Sequence, residues 1–396
     1  MIKTPAEWNR KSIDEASTVI VSPVDKKSYD HEIPVELCNY MDVYYNRLIN
    51  SKIEFMKATA TQNEIDKFSL LPGDVIITKD SETPDDIGVS AYIEEIKPNL
   101  LCGYHLSILR PNKNLCGKYL LYSLRHPKIK YDFYRYANGV TRFGLAKESY
   151  SKITIPFPPL PEQRAIADIL STWDEAIEKM EKLIEAKEKR FKAKSEIFIT
   201  EIETSHKDIL LGDICEIFTA GSKSSEIVQT GKYIIADMGA ISGKGELLDR
   251  KRSNNNKDLL NIGDLIMPKD DIGGGNIIGK VAYVSIDSVV LGDHVYALRF
   301  KENVNSKFIY YQINGRRINR QLRRMSNGTS QLGLGKKDVK IQKIFLPDKN
   351  EQNRIANILD NLKREIVLLG QIKIYYKEQK RGLMQKLLTG AWRVGV

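Results

Sequence analysis

The sequence predicts an α+β protein made of two tandem, related units, each closed by a long helix, and three observations carry that prediction. The first is an internal repeat. Residues 138 to 170, NGVTRFGLAKESYSKITIPFPPLPEQRAIADIL, and 327 to 359, NGTSQLGLGKKDVKIQKIFLPDKNEQNRIANIL, lie 189 positions apart and agree, without a gap, at thirteen of 33 positions, where average composition gives about two by chance. The second is a set of short β-branched runs bounded by Gly, Asn and Asp, which read as strands. The third is a pair of long stretches, one at the end of each copy, whose apolar residues recur three and four apart and so share one face of a helix.

The repeat register continues upstream. Leu109-Arg110-Pro111 falls on Leu298-Arg299-Phe300, and Gly103 and His105 fall on Gly292 and His294; with one residue of slippage, Gly73, Asp74, Lys79 and Asp80 fall on Gly263, Asp264, Lys269 and Asp270. A period this long exceeds the about 20 to 50 residues of solenoid repeats, so two globular units plus two connectors is the reading. The expected boundaries are residues 1–160 for the first unit, 161–205 for a central helix, 206–346 for the second unit and 347–396 for a C-terminal helix.

Within the units, Asp74 to Thr78 (DVIIT), Lys280 to Val284 (KVAYV) and His294 to Arg299 (HVYALR) are predicted strands. Near the end of each unit one helix is predicted, over Lys118 to Tyr136 and Lys307 to Met325, running into Asn138-Gly139 and Asn327-Gly328, a natural helix stop. The second of these helices carries Arg316, Arg317, Arg320, Arg323 and Arg324 within nine positions, and the first carries Lys128, Lys130 and Arg135 interleaved with Tyr131, Phe133, Tyr134 and Tyr136. A run of charge is commonly a solvated face. Its recurrence in both units, ahead of loops with Arg142 or Lys336 and Lys337, points instead to a surface for phosphate.

The two connectors are read as rods. After Pro161 no proline or glycine occurs until about Ile202, and the apolar stripe runs through Ile166, Ile169, Leu170, Trp173, Ile177, Met180 and Leu183. It reappears at Ile355, Ile358, Leu359, Leu362, Ile366, Leu369 and Ile372. Pro161 suits a first helical position, Asn350 is the expected cap of the second rod, and Glu351 favours its positive end. A stripe this narrow needs a partner helix, and the other copy supplies one. Antiparallel pairing of two rods, each roughly 60 Å long at 1.5 Å per residue, would set the globular units at opposite ends about an approximate twofold axis. Gly370 and Gly382 each weaken the second rod by roughly 1 kcal/mol.

Composition bounds the function. With 396 residues, 42% hydrophobic and 28% charged, the chain can bury two cores, and its net charge of +10 favours a polyanionic partner. Cys38, Cys102, Cys116 and Cys215 form no CxxC pair and adjoin no histidine cluster, so neither zinc nor a disulfide framework is expected, in keeping with a cytoplasmic location. No apolar leader and no run of 18 apolar residues occur, so secretion and membrane association are disfavoured. Enzymatic motifs fail. GGNIIGKV at residues 274 to 281 has Val281 where a phosphate loop needs a Ser or Thr for magnesium. No GxGxxG follows a strand, FPPLP at 157 to 161 lacks the Asn or Asp that precedes Pro-Pro in an amino-methyltransferase site, and His105 and His294 have no equivalently repeated acid and nucleophile, so core or surface histidines are expected.

A duplicated α+β unit in which each copy ends in an IPFPPLPEQ-like segment (residues 155–163; Phe345-Leu-Pro347 with Glu351-Gln352 in the second copy) and a long heptad helix resembles the specificity subunit (HsdS family) of type I restriction-modification systems. GDLI at 263 to 266, GKVAYV at 279 to 284 and GLMQKLLTGAWRV at 382 to 394 add to the resemblance, which covers essentially the whole chain. Leu-Pro-Asp-Lys-Asn at 346 to 350 departs from the proline-rich approach of the first copy.

The resemblance implies a non-catalytic subunit with two target-recognition domains, each reading one half of a split, asymmetric sequence in double-stranded DNA. The paired helices would set the spacer and dock two methyltransferase subunits, with a restriction and motor subunit as a further partner. No cofactor is expected in this chain; adenosylmethionine, ATP and magnesium belong to those partners. The residues expected to meet DNA are Lys79, Arg110, Arg135 and Arg142 in the first unit, and Lys269, Arg299, Arg316, Arg317, Arg320, Arg323, Arg324 and Lys336 in the second. Ile166, Ile169, Trp173, Met180, Ile355, Ile358, Leu362 and Leu369 are expected to form the helix-pair and partner interface. A stand-alone DNA-binding regulator shares the charge and the duplication and is the alternative.

Overall fold

The computed structural model describes residues 4–395 except 26–27, 96–97, 273 and 329–330. The chain divides into two compact units, residues 1–180 with 372–396 and residues 181–371. The division crosses both long helices instead of falling at their ends, because each half-helix packs on its own globular body.

In the first unit a five-stranded sheet runs in the order Ser17–Val21, Leu106–Pro111, Val75–Thr78, Ser90–Ile93, Leu48–Ile49, beside a three-stranded sheet of Met56–Ala60, Ile33–Cys38 and Leu100–Cys102. The second unit repeats the plan with Cys215–Phe218, Val295–Phe300, Leu265–Pro268 and Ala282–Tyr283, and with Arg252–Ser253, Tyr233–Ala236 and Val289–Leu291. The central strand shows why these runs are apolar throughout. Successive side chains point to opposite faces, so Val75 and Ile77 enter one core with Tyr119 while Ile76 enters another with Cys38 and Ile49. Leu265 and Met267, and on the other face Ile266, do the same in the second unit. Each unit is also tied end to end, Asn9–Ser12 pairing with Thr154–Phe157 and Asp208–Leu210 with Lys343–Phe345.

Six helices have eight residues or more among the described residues: α1 (Gly117–Leu124), α2 (Pro127–Tyr136), α3 (Leu160–Ser205), α4 (Ser306–Asn314), α5 (Arg316–Met325) and α6 (Lys349–Leu388). The single helices expected over 118–136 and 307–325 are therefore each two. Pro127 drives the residue before it out of the helical region; His126 is extended (φ −64°, ψ 134°) and its ring nitrogen accepts from the Lys128 N–H at 3.2 Å. Gly315 breaks the second pair in the same extended form (φ −62°, ψ 152°). The expected cap at Asn350 is corrected too: α6 starts at Lys349, and Asp348 accepts from the Glu351 N–H at 3.0 Å.

Both long helices form, and within each unit their segments pair antiparallel. In the first unit Trp173 meets Tyr376 edge to face at 5.5 Å, while Ile166 and Leu170, earlier in α3, share a core with Leu387 and Leu388, later in α6. In the second unit Lys187 pairs with Glu365 at 2.5 Å, and Phe198, later in α3, lies under Arg354, earlier in α6. Gly370 and Gly382 both lie in α6 and do not interrupt it. No described helix is long and apolar enough to cross a membrane.

Candidate nucleic-acid interface

Each unit delivers a basic helix directly into a pinned loop. On α5 the 3.6-residue period buries Ile318, Asn319 and Leu322 and leaves Arg316, Arg317, Arg320, Arg323 and Arg324 exposed. Arg317 pairs with Glu203; among the described residues no carboxylate pairs with the other four. Burial, with Arg323 nearby, holds the Lys280 ammonium below the usual lysine range. On α2, Ile129 and Phe133 face inward, Lys130 and Arg135 are exposed, Tyr131 and Tyr134 stack at 6.1 Å, and Lys128 lies 4.9 Å over Tyr131 while bonding Asp132 at 2.7 Å.

The loops after these helices share one frame. Asn138 and Gly144 exchange backbone hydrogen bonds of 2.9 and 2.8 Å, and so do Asn327 and Gly333. Gly139 (φ +133°) and Gly328 (φ +113°) start the turn, where a Cβ would strike the carbonyl oxygens of Arg142 and Gln331. Leu145 N–H then donates to Lys79 O at 2.9 Å and Leu334 N–H to Lys269 O at 2.8 Å. The base of each loop lies against an aspartate that holds a histidine, which corrects the expectation that His105 and His294 lack a repeated acid: Nδ1 of His105 is 3.4 Å from Asp80, and Nδ1 of His294 is 2.7 Å from Asp270. Beside the first loop a groove of about 440 Å³ is lined by Tyr40, Tyr44, Asp80, Glu82, Asp86 and Arg142, among others.

The expected DNA-facing cations fall into two groups. Arg135, Arg142, Lys269, Lys336 and the α5 arginines are exposed. Lys79, Arg110 and Arg299 already have internal partners. Arg110 donates twice to buried Asp74 at 2.9 and 2.8 Å, and Arg299 twice to buried Asp264 at 2.9 and 2.6 Å, a bidentate geometry that fixes both ends. Those aspartates also accept from Leu71 N–H and Asn261 N–H, closing the turns at Gly73 and Gly263. Lys79 is 8% exposed, bonded to Asp80 at 2.5 Å and 4.6 Å over Tyr104. The 274–281 segment is a loop entering a strand, and Asp271 accepts from Ile277 N–H and Ile278 N–H at 2.7 and 3.1 Å, filling with its own carboxylate the place an anion would take.

Sequence reasoning missed the fasteners at the head of each long helix. Buried Gln163 accepts from Cys116 N–H and donates to Pro158 O, both at 2.8 Å; Gln352 accepts from Asn305 N–H and donates to Pro347 O, also both at 2.8 Å. The signal was present, since Glu-Gln recurs in register in both copies, but nothing local says that a helix-start glutamine points inward. Of the expected helix-face residues, Ile166 and Ile355 are buried in the cores, Ile169 and Ile358 pack against them, and Trp173 meets Tyr376; Met180, Leu362 and Leu369 are half-buried.

Comparison with known proteins agrees with this layout. A family model described as the type I restriction modification DNA specificity domain matches residues 5–188 and again 206–374. The chain is 27% identical, over 98% of its length and 95% of the relative's, to the putative type I restriction enzyme MjaX specificity subunit of Methanocaldococcus jannaschii. It is 28% identical over 75% of both chains to the type I restriction enzyme MjaVIII specificity subunit of the same organism. Among solved structures, the type I restriction-modification system S subunit from M. genitalium has the same fold, with a TM-score of 0.62, 18% identity and 96% of both chains covered.

Proposed function

We propose, from the premise that this chain belongs to the family of type I restriction modification DNA specificity proteins, that its two units read the two unlike halves of one split DNA site. The chain is a non-catalytic DNA sequence-recognition subunit; the division of labour between the units is the finer reading. A single observation carries it: the same frame of basic helix, pinned loop and aspartate-held histidine occurs twice with different exposed side chains. Identical frames would meet duplex DNA in equivalent ways, and different side chains select different bases. A stand-alone DNA-binding regulator is not favoured, because the relatives are restriction-enzyme subunits.

In this reading Arg135 in the first unit, and Lys269, Arg316, Arg317, Arg320, Arg323, Arg324 and Lys336 in the second, neutralise backbone phosphates, with Arg142 at the same surface. Lys79, Arg110 and Arg299 are left out because their charges already serve the fold. Two methyltransferase subunits dock on the long helices, whose exposed apolar side chains include Val367, Leu368, Ile374 and Tyr375; adenosylmethionine, ATP and magnesium act in the methyltransferase and restriction subunits. The helix pair acts as a ruler. Removing one heptad from both helices shortens it by about 10 Å, near three base pairs. Co-purification of the chain with a methyltransferase, followed by sequencing of methylated sites, tests the assignment: a split motif whose gap shrinks in the heptad-deleted variant supports it, and an unchanged gap removes the ruler.

A further inference from the structure

The two pinned loops are alike where they are fastened and unlike where they are exposed. Asn138, Gly139, Gly144 and Leu145 recur as Asn327, Gly328, Gly333 and Leu334, whereas Arg142 is replaced by Gln331. Phe143 and Leu332 pack against the cores and hold the loops down; Arg142 and Gln331 are exposed, and Val140 beside Arg142 is 91% exposed. We propose that these tips read bases, Arg142 selecting a guanine in the half-site met by the first unit and Gln331 an adenine in the half-site met by the second. The inference rests on the reading of two half-sites above and assigns residues to it.

Charge separates base reading from phosphate contact here. The groove beside Arg142 is lined by the carboxylates of Asp80, Glu82 and Asp86, none of which pairs with it among the described residues. At the second tip Asp271 is buried and spends its carboxylate on Ile277 N–H and Ile278 N–H, and Gln331 carries no charge to offer a phosphate. A phosphate beside Arg142 would face several negative charges. A base edge, which offers donors as well as acceptors, would not. The arginines of α5 have the opposite surroundings, with Glu203 as their one carboxylate partner among the described residues. The chemistry of the tips also matches the bases: guanidinium meets the two acceptors of guanine as a fork, and carboxamide meets the acceptor and donor of adenine. The cross-bonds between Asn138 and Gly144 and between Asn327 and Gly333 fix the ends of each loop before DNA arrives, which lowers the cost of ordering its backbone on binding.

The test uses the full-length chain together with the methyltransferase subunits that co-purify with it, enriching randomised duplexes and sequencing what is bound. Arg142→Gln should exchange guanine for adenine at one position of one half-site, and Gln331→Arg should do the converse in the other half, each leaving the gap and the opposite half unchanged. Arg142→Lys, which keeps the charge and loses the fork, should reduce the guanine preference tenfold or more. The proposal is overturned if both exchanges leave the motif intact while binding weakens evenly on all sequences, or if Arg142→Lys behaves as the parent. If the parent complex itself enriches no split motif, the two-half-site reading falls, a result distinct from an unchanged motif in the variants.

Discussion

At the same step of the two long helices the first unit carries an acid and the second a base. Asp174 and Lys363 lie 189 positions apart. In the first unit Asp174 accepts from Tyr122 at 2.8 Å and pairs with Lys380, and Arg47 from the globular body lies 3.5 Å from Asp174 and 2.9 Å from Glu178. Burial, then Asp174, pushes the Tyr122 phenol up. In the second unit Lys363 donates to Tyr310 at 2.8 Å and lies 3.5 Å from Glu246 of the body. The acid that accepts from the repeated tyrosine stands three residues earlier there: Asp360 accepts from Tyr311 at 2.7 Å and pairs with Lys307 of the body at 2.8 Å. The glutamine fasteners and the aspartate-arginine pairs are the same in both units. Hydrogen bonds to the backbone define the frame, while charge on the helix face is matched privately within each unit, so the two bodies are not interchangeable on their helices.

The largest expected effect comes from copying one unit's charge into the other. Asp174→Lys sets an ammonium against Arg47 and Lys380, and should cost about 3 to 5 kcal/mol as a largely buried pair is broken. Trp8, Trp173 and Trp392, the chain's three tryptophans, all belong to the first unit, so urea unfolding followed by tryptophan fluorescence reports it selectively. Little change in midpoint would show that the acid and the base at this step are interchangeable. Next in size, Gln163→Ala and Gln352→Ala should each cost about 2 to 3 kcal/mol, because backbone groups are left buried without partners; a large loss in only one unit would break the equivalence of the fasteners. Gly370→Ala and Gly382→Ala should each stabilise by about 1 kcal/mol, since a Cβ at either position meets nothing within 4 Å, and calorimetry would detect a higher melting temperature. The smallest effect sharpens the contrast between helix and loop: Arg320→Ala should weaken binding evenly on all sequences and reduce the salt slope by about one. An unaltered slope removes α5 from the footprint.

What was legible in the sequence was whatever the duplication wrote twice or periodicity wrote often. The repeat gave two units, the heptad stripe gave α3 and α6, and the exposed arginine face of α5 followed from its spacing. The breaks at His126 and Gly315 do not show in helical periodicity, which runs through both; a proline and a glycine alone mark them. The pairing of Arg110 and Arg299 with buried aspartates cannot be read from a count of charge. Asp74 and Asp264 recur too, with one residue of slippage, but only tertiary structure shows that the repeated acid and the repeated base meet. The change from Asp174 to Lys363 is illegible for the opposite reason, since their partners, Arg47 and Glu246, hold no common position in the repeat register.

The central claim is that one frame with two sets of exposed side chains yields one site with two different halves. Enrichment of randomised duplexes by the unmodified full-length complex tests it most directly: two unlike short motifs at a fixed separation are expected, and a single continuous motif, or two identical inverted halves, would contradict it.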